Sequence, residues 1–120
     1  MPDQTFPNRD RIRKQSDFDR VYAAQAFAAD DVLVIRGCRN EFEYSRLGLS
    51  VSRRVGPAVV RNRWKRLIRE TFRTGHQQIP RGYDFVVRPR RGASLSFPAI
   101  ARSLPQLSHR LVGRLEKQKK

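Results

Sequence analysis

Apolar and polar positions along the chain divide it into six elements. Phe18, Val21, Tyr22 and Ala26 recur at helical spacing, and Ser16 with Asp19 three residues on has the form of a capping box, which predicts a first helix over about 16–27. Residues 32–38 form an apolar, β-branched run and residues 44–52 alternate, so the two predict an antiparallel pair joined by a loop over 39–43. In the second strand Leu47, Leu49 and Val51 point one way, and Arg46, Gly48, Ser50 and Ser52 the other. One face is therefore core, and the other is small and polar. Pro57 suits a first helical turn and Gly75 a helix end, predicting a long helix over about 57–74. Residues 83–88 read as a strand that stops at Pro89. A last helix begins near Ser96, with Phe97, Ile100, Leu104, Leu107 and Leu111 on one side and a kink at Pro105, whose ring and missing N–H disrupt the preceding turn. The order α-β-β-α-β-α predicts a single α+β domain over 1–120, a sandwich of helices on a small, mainly antiparallel sheet, with no internal repeat or linker. Residues 1–8 and 114–120 are expected to be flexible.

The helix over 57–74 adds chemistry to this outline. At about 100° per residue, Val60, Trp64, Leu67, Ile68 and Thr71 share an arc that must pack on the sheet. Arg61, Arg63, Lys65, Arg66, Arg69 and Arg73 surround that arc, with only Glu70 for relief. Six like charges on one short helix repel one another, and phosphates would neutralise them. The same bias runs through the whole chain, which carries 26 Lys+Arg against 11 Asp+Glu, a net charge of +15. Most of the cations are Arg, whose planar fork pairs bidentately with phosphate and stacks on bases. The expected partner is a polyanion.

Other classes fit less well. No apolar run approaches membrane-spanning length, and the first ten residues lack the apolar stretch of a secretion signal, so a cytoplasmic protein without a membrane partner is expected. Cys38 is the only cysteine and His76 and His109 the only histidines, which argues against an internal disulfide or a zinc cluster. A protein nuclease would need a general base or gathered carboxylates. Here Asp17 and Asp19 suit a helix N-terminus, Glu70 and Asp84 suit local charge balance, and no catalytic or metal-ligating residue is expected. Duplex DNA reading would require a second helix in a helix-turn-helix setting, which does not adjoin 57–74.

The stretch from Arg46 to Phe72, RLGLSVSRRVGPAVVRNRWKRLIRETF, resembles the signature of bacterial ribonuclease P proteins, including their Arg-Asn-Arg motif. The family's Asp-Phe-x-x-Val-Tyr/Phe pattern reappears at Asp17, Phe18, Val21 and Tyr22, the late strand reappears at Tyr83-Asp84-Phe85-Val86-Val87, and the likeness covers about 9–112. It implies a protein subunit of an RNA enzyme that removes the 5′ leader of precursor tRNA. Catalysis, with Mg2+ held mainly by the RNA, would belong to the RNA subunit. The resemblance assigns catalytic-RNA binding to Arg61, Asn62, Arg63, Lys65, Arg66 and Arg69. To a cleft for the single-stranded leader it assigns Phe18 and Tyr22, with Arg46, Ser50, Arg53 and Arg54 nearby. It also implies an unusual left-handed β-α-β crossover, against the general rule. The loop before Arg46 differs in length from the family pattern, so no cleft residue is assigned on the strand 32–38. Aromatic residues at helical spacing are usually core. Beside a polar, small-residue strand face, however, Phe18 and Tyr22 could stack bases of any sequence. A structural RNA-binding protein of the ribosomal type would share the size and charge but needs no leader groove.

Overall fold

The computed structural model describes residues 8–118. Its elements are α1 (Gln15–Ala23), β1 (Phe27–Ala29), β2 (Leu33–Arg39), β3 (Arg46–Leu49), α2 (Ala58–Thr74), β4 (Tyr83–Pro89) and α3 (Phe97–Gln118). The sheet order is β1-β2-β4-β3. β2 pairs antiparallel with both β1 and β4, and β3 pairs parallel with β4, Leu47 opposite Phe85 and Leu49 opposite Val87.

Three expectations fail here. The runs at 32–38 and 44–52 do not form a hydrogen-bonded pair, because β4 lies between them. The reason is burial: Tyr83 through Val87 are all buried, and a strand apolar on both faces belongs at the centre of a sheet. The helical pattern over 16–27 also stops early. α1 ends at Ala23, and Gln25 takes φ +57°, a left-handed turn that few non-glycine residues adopt. That turn releases 27–29 as an edge strand, β1. At the other end of α1, Lys14 occupies the cap without a side-chain cap hydrogen bond, so Ser16 and Asp19 form no capping box.

One sheet face carries Leu33, Ile35, Leu47, Phe85 and Val87, which pack with Trp64, Ile68 and Phe72 of α2 and with Ile100, Leu104, Leu107, Leu111 and Leu115 of α3 in the main core. Phe97, expected on the same side of α3, is exposed. α3 runs on through Pro105, and residues 114–118, expected to be flexible, continue that helix with Leu115 buried. Residues 1–7, 119 and 120 lie outside the described residues. On the opposite sheet face Val21 of α1 packs with Ile12, Cys38 and Val86, flanked by Phe18. Gly48 permits this close approach, since a Cβ there would stand 2.8 Å from the Phe18 ring.

Both sheet edges are covered. Along β3, Ile12 donates its N–H to the Leu47 carbonyl at 3.0 Å, a bridge that lays the segment before α1 against the strand. Along β1, the Phe27 carbonyl accepts from the Arg114 guanidinium and the Ala29 carbonyl from that of Arg110 at 3.3 Å. Asp30 shapes the turn after β1, accepting from the N–H groups of Val32 and Leu33 at 2.8 and 3.0 Å and from Ser103 Oγ at 2.6 Å. Burial alone would raise its pKa, but these hydrogen bonds hold it below the ordinary carboxylate value.

Candidate RNA-binding surfaces

The amphipathic α2 turns its apolar arc inward, burying Trp64, Ile68, Thr71 and Phe72, and this orientation fixes where its cations go. Asn62, Arg63 and Arg66 are exposed, and Arg61, Lys65 and Arg69 are half-buried. Arg61 donates to the Gly56 carbonyl at 3.2 Å, and Arg73 is held by Glu70 at 2.5 Å. All six residues assigned to catalytic RNA therefore lie on one helix, outside its buried stripe.

Beside α2, the segment before α1 contributes Arg11 and Arg13 to a depression of about 400 Å³, lined also by Phe18, Lys65 and Arg69. Desolvation first, and then the neighbouring Arg11, push the Arg69 pKa down. Phosphate oxygens would relieve the repulsion between the two cations.

The second surface is a cleft of about 1120 Å³ at the Pro89 end of the sheet, on the face that α1 only partly covers. Alternation along the strands sets its lining. Val34 and Arg36 of β2 and Arg88 of β4 point into it, with Phe27 and Ala29 of β1 on one side and Ser50, Ser52 and Arg54 beyond β3 on the other; Arg90 and Arg91 close one end. Arg36 lies over two aromatic rings, 5.3 Å from the centroid of Tyr22 and 5.6 Å from that of Phe27. Tyr22 and Phe27 stay 41% and 47% exposed, unusual for core aromatics and suited to stacking.

The residues assigned to the leader cleft thus separate. Ser50 and Arg54 line the cleft, and Tyr22 meets it through Arg36. Phe18 lies against Gly48 and lines the depression beside α2 instead. Arg53 is exposed on the short turn Arg53–Val55. Arg46 is tied down: its Nε and Nη2 donate to Asp84 at 2.9 and 2.6 Å, leaving the side chain 13% exposed. Asp84 also accepts from Asn40 at 2.9 Å and from Arg20 of α1. Burial would raise the Asp84 pKa, but Arg46, Asn40 and Arg20 hold it below the usual carboxylate range, and Asp84 in turn raises that of Arg46.

Sequence reasoning missed Phe27, Arg36 and Arg88. The available signal was alternation from residue 34, which puts Arg36 on the same face as Val34; Phe27 was hidden inside an overlong helix. The His76 and His109 rings each meet a main-chain carbonyl, of Arg73 at 3.1 Å and Gln78 at 2.8 Å. No helix among the described residues is long and apolar enough to cross a membrane.

Comparisons with known proteins place the chain in a family. A family model described as Ribonuclease P matches residues 6–112. The ribonuclease P protein component of Petrotoga mobilis is 40% identical over 100 residues, covering 83% of this chain and 85% of that one. That of Clostridioides difficile is 40% identical over 101 residues, covering 82% and 89%. Among solved structures, the RNase P protein from Thermotoga maritima superimposes with a TM-score of 0.77 at 33% identity, covering 83% of this chain and 96% of that one. The Staphylococcus aureus RNase P protein gives 0.73 at 37% identity, covering 82% and 91%. A family match across the fold, α2 and both surfaces, joined by relatives and structures that agree with it, means that the chain belongs to the ribonuclease P protein family.

Proposed function

We propose that this protein component of ribonuclease P holds the catalytic RNA on α2 and the adjoining basic depression, and takes the single-stranded 5′ leader of precursor tRNA into the cleft at the Pro89 end of the sheet. The observation that carries this reading is the pairing of two different surfaces on one small domain. One is a convex helix dense in cations, suited to the backbone of a folded RNA. The other is a concave face where Tyr22, Phe27 and Arg36 meet Ser50, Arg54 and Arg88. Aromatic faces stack any base and arginines follow phosphates, so such a groove accepts single strands of varied sequence. Phe18 acts on the leader path only indirectly, as the contact that seats α1 on Gly48.

The protein's contribution to 5′ maturation is then positioning. Among the described residues no three His, Cys, Asp or Glu side chains gather where a metal ion could be held. The reading leaves magnesium and the hydrolytic step to the RNA subunit, in the cytoplasm where precursor tRNA is made.

The test is precursor-tRNA cleavage at near-physiological magnesium by bacterial ribonuclease P RNA with and without this chain. Stimulated cleavage at the leader junction, greater for leader-bearing substrate than a binding change in mature tRNA can explain, is the expected result. Tight RNA binding without stimulation and without preference for a leader would refute the leader assignment.

A further inference from the structure

At the opposite end of the sheet from the cleft, where β4 begins and the Tyr83 N–H donates to Ser45 Oγ at 3.1 Å, lies a separate pocket of about 500 Å³. Its floor is apolar, made by the buried Phe72 and Ile79. Its wall is aromatic: Tyr44 stacks on Phe42 with centroids 5.1 Å apart and planes at 23°. The Arg9 guanidinium covers the Tyr44 ring 4.6 Å from its centroid, on a side chain that is 69% exposed and so able to move aside. Asp10, also in the lining, is half-buried, with its Oδ1 shielded from solvent. Its Oδ1 accepts no hydrogen bond among the described residues and has Arg9 Nε at 3.5 Å as an ion-pair neighbour. Burial raises the pKa of this carboxyl, against the opposing pull of Arg9 and His76. Arg81 and His76 line the same pocket from exposed positions.

From this combination we infer that the pocket binds the base of an unpaired guanine nucleotide. A cationic ligand would be repelled by Arg9 and Arg81, and a simple anion by Asp10 and Glu43. A flat, neutral group with adjacent N–H donors and a phosphate satisfies both sets. Guanine presents N1–H and its N2 amino group side by side, and a carboxylate accepts both at once. Adenine and cytosine present a donor next to an acceptor on the corresponding edge, and uracil a single donor between two acceptors, so Asp10 discriminates against all three. The base takes the place of the Arg9 guanidinium as a third layer on Tyr44 and Phe42, and Arg9 turns with Arg81 to the phosphate. The nucleotide comes either from an unpaired position in RNA or from the free pool.

The experiment is a ¹⁵N-amide NMR titration of the full chain with GMP and AMP, and with the pentaribonucleotides UUGUU and UUAUU, alongside calorimetric affinities. The expected result is a shift of the Asp10, Tyr44 and Ser45 amides by the guanine probe, with at least about 10-fold tighter binding than its adenine counterpart, near the low end of what a bidentate base contact discriminates. A response to GMP assigns free nucleotide, and a response to UUGUU alone assigns an unpaired nucleotide of RNA. Asp10→Asn, checked by its melting temperature, abolishes the preference; should that variant unfold, Tyr44→Leu weakens guanine binding by about 10-fold through the lost stack. Equal response to guanine and adenine, a preference that survives Asp10→Asn, or no pocket shift with any probe overturns the inference.

Discussion

Asp84 is fully buried, and its carboxylate is where α1, β3 and the loop after β2 meet β4. Asp84→Asn keeps the shape and removes the charge. The Arg46 guanidinium, mostly shielded from water, loses both charge-assisted hydrogen bonds, and the new amide can turn an N–H toward it. Breaking a buried pair on one side costs about 3–5 kcal/mol when a charge is left unpaired, and Arg46 keeps Asp17 Oδ2 at 3.4 Å as a weaker partner. Arg20 is substantially exposed and recovers much of its share from water, which puts the expected loss near the lower bound, about 3 kcal/mol. For a domain of this size, roughly 4 °C per kcal/mol gives a fall in Tm of about 12 °C. The pH dependence has a definite sign. The folded-state pKa of Asp84 lies below the ordinary value, so its stabilisation is fully present above the unfolded pKa of about 4 and is lost as pH falls through the lower folded value. The stability gap between wild type and Asp84→Asn should therefore stay constant from pH 7 down to about 5 and narrow only in stronger acid. Urea unfolding of both proteins across that range measures it. A gap below about 1 kcal/mol at pH 7, or one that opens rather than closes in acid, would refute the assignment of Asp84 as the ionised hub.

Arg66→Ala or Arg69→Ala should weaken binding to catalytic RNA and lower the slope of log K against log salt by about one unit, measured by filter binding at several salt concentrations; an unchanged slope removes these side chains from the phosphate contacts. Phe27→Ala should cost about 1–3 kcal/mol of affinity for leader-bearing precursor while leaving mature tRNA untouched, and equal losses for both would place the ring outside the leader path. Gly48→Val drives a side chain into the Phe18 ring, already 2.8 Å from a Cβ at that position, and should cost about 1–3 kcal/mol by urea unfolding together with a loss of leader preference; full stability would show that α1 can lift without consequence.

Much of this molecule is legible in its residues, and the exceptions have physical causes. The arc of α2 is set by 3.6-residue periodicity, which holds because one stripe of that helix must meet the sheet. The strand over 83–88 is equally plain, but its place in the sheet depends on which neighbours cover its two apolar faces. Local alternation says nothing of that, although the unbroken run from Tyr83 to Val87 was itself the mark of a central strand. β1 escaped because Gln25-Ala26-Phe27-Ala28-Ala29 contains no glycine or proline, and the turn that frees it rests on one residue at positive φ. With β1 hidden, Phe27 could not be placed in the cleft. Arg46 misled for another reason: a cation in a motif reads as a ligand contact until its carboxylate partner, 38 residues away, is brought beside it.

The covered sheet edges matter for a chain that must wait for its RNA. A strand with free N–H and C=O groups invites strand addition by a second copy or a passing peptide. Here Arg110 and Arg114 occupy carbonyls of β1, and the segment before α1 lies along β3. Two of this protein's many arginines thus direct hydrogen-bond donors at an edge strand, where they would hinder such pairing. Replacing them with lysine would keep the net charge but give up the guanidinium N–H groups that reach these carbonyls. The loss would appear first as concentration-dependent light scattering of the RNA-free protein, before any change in catalysis.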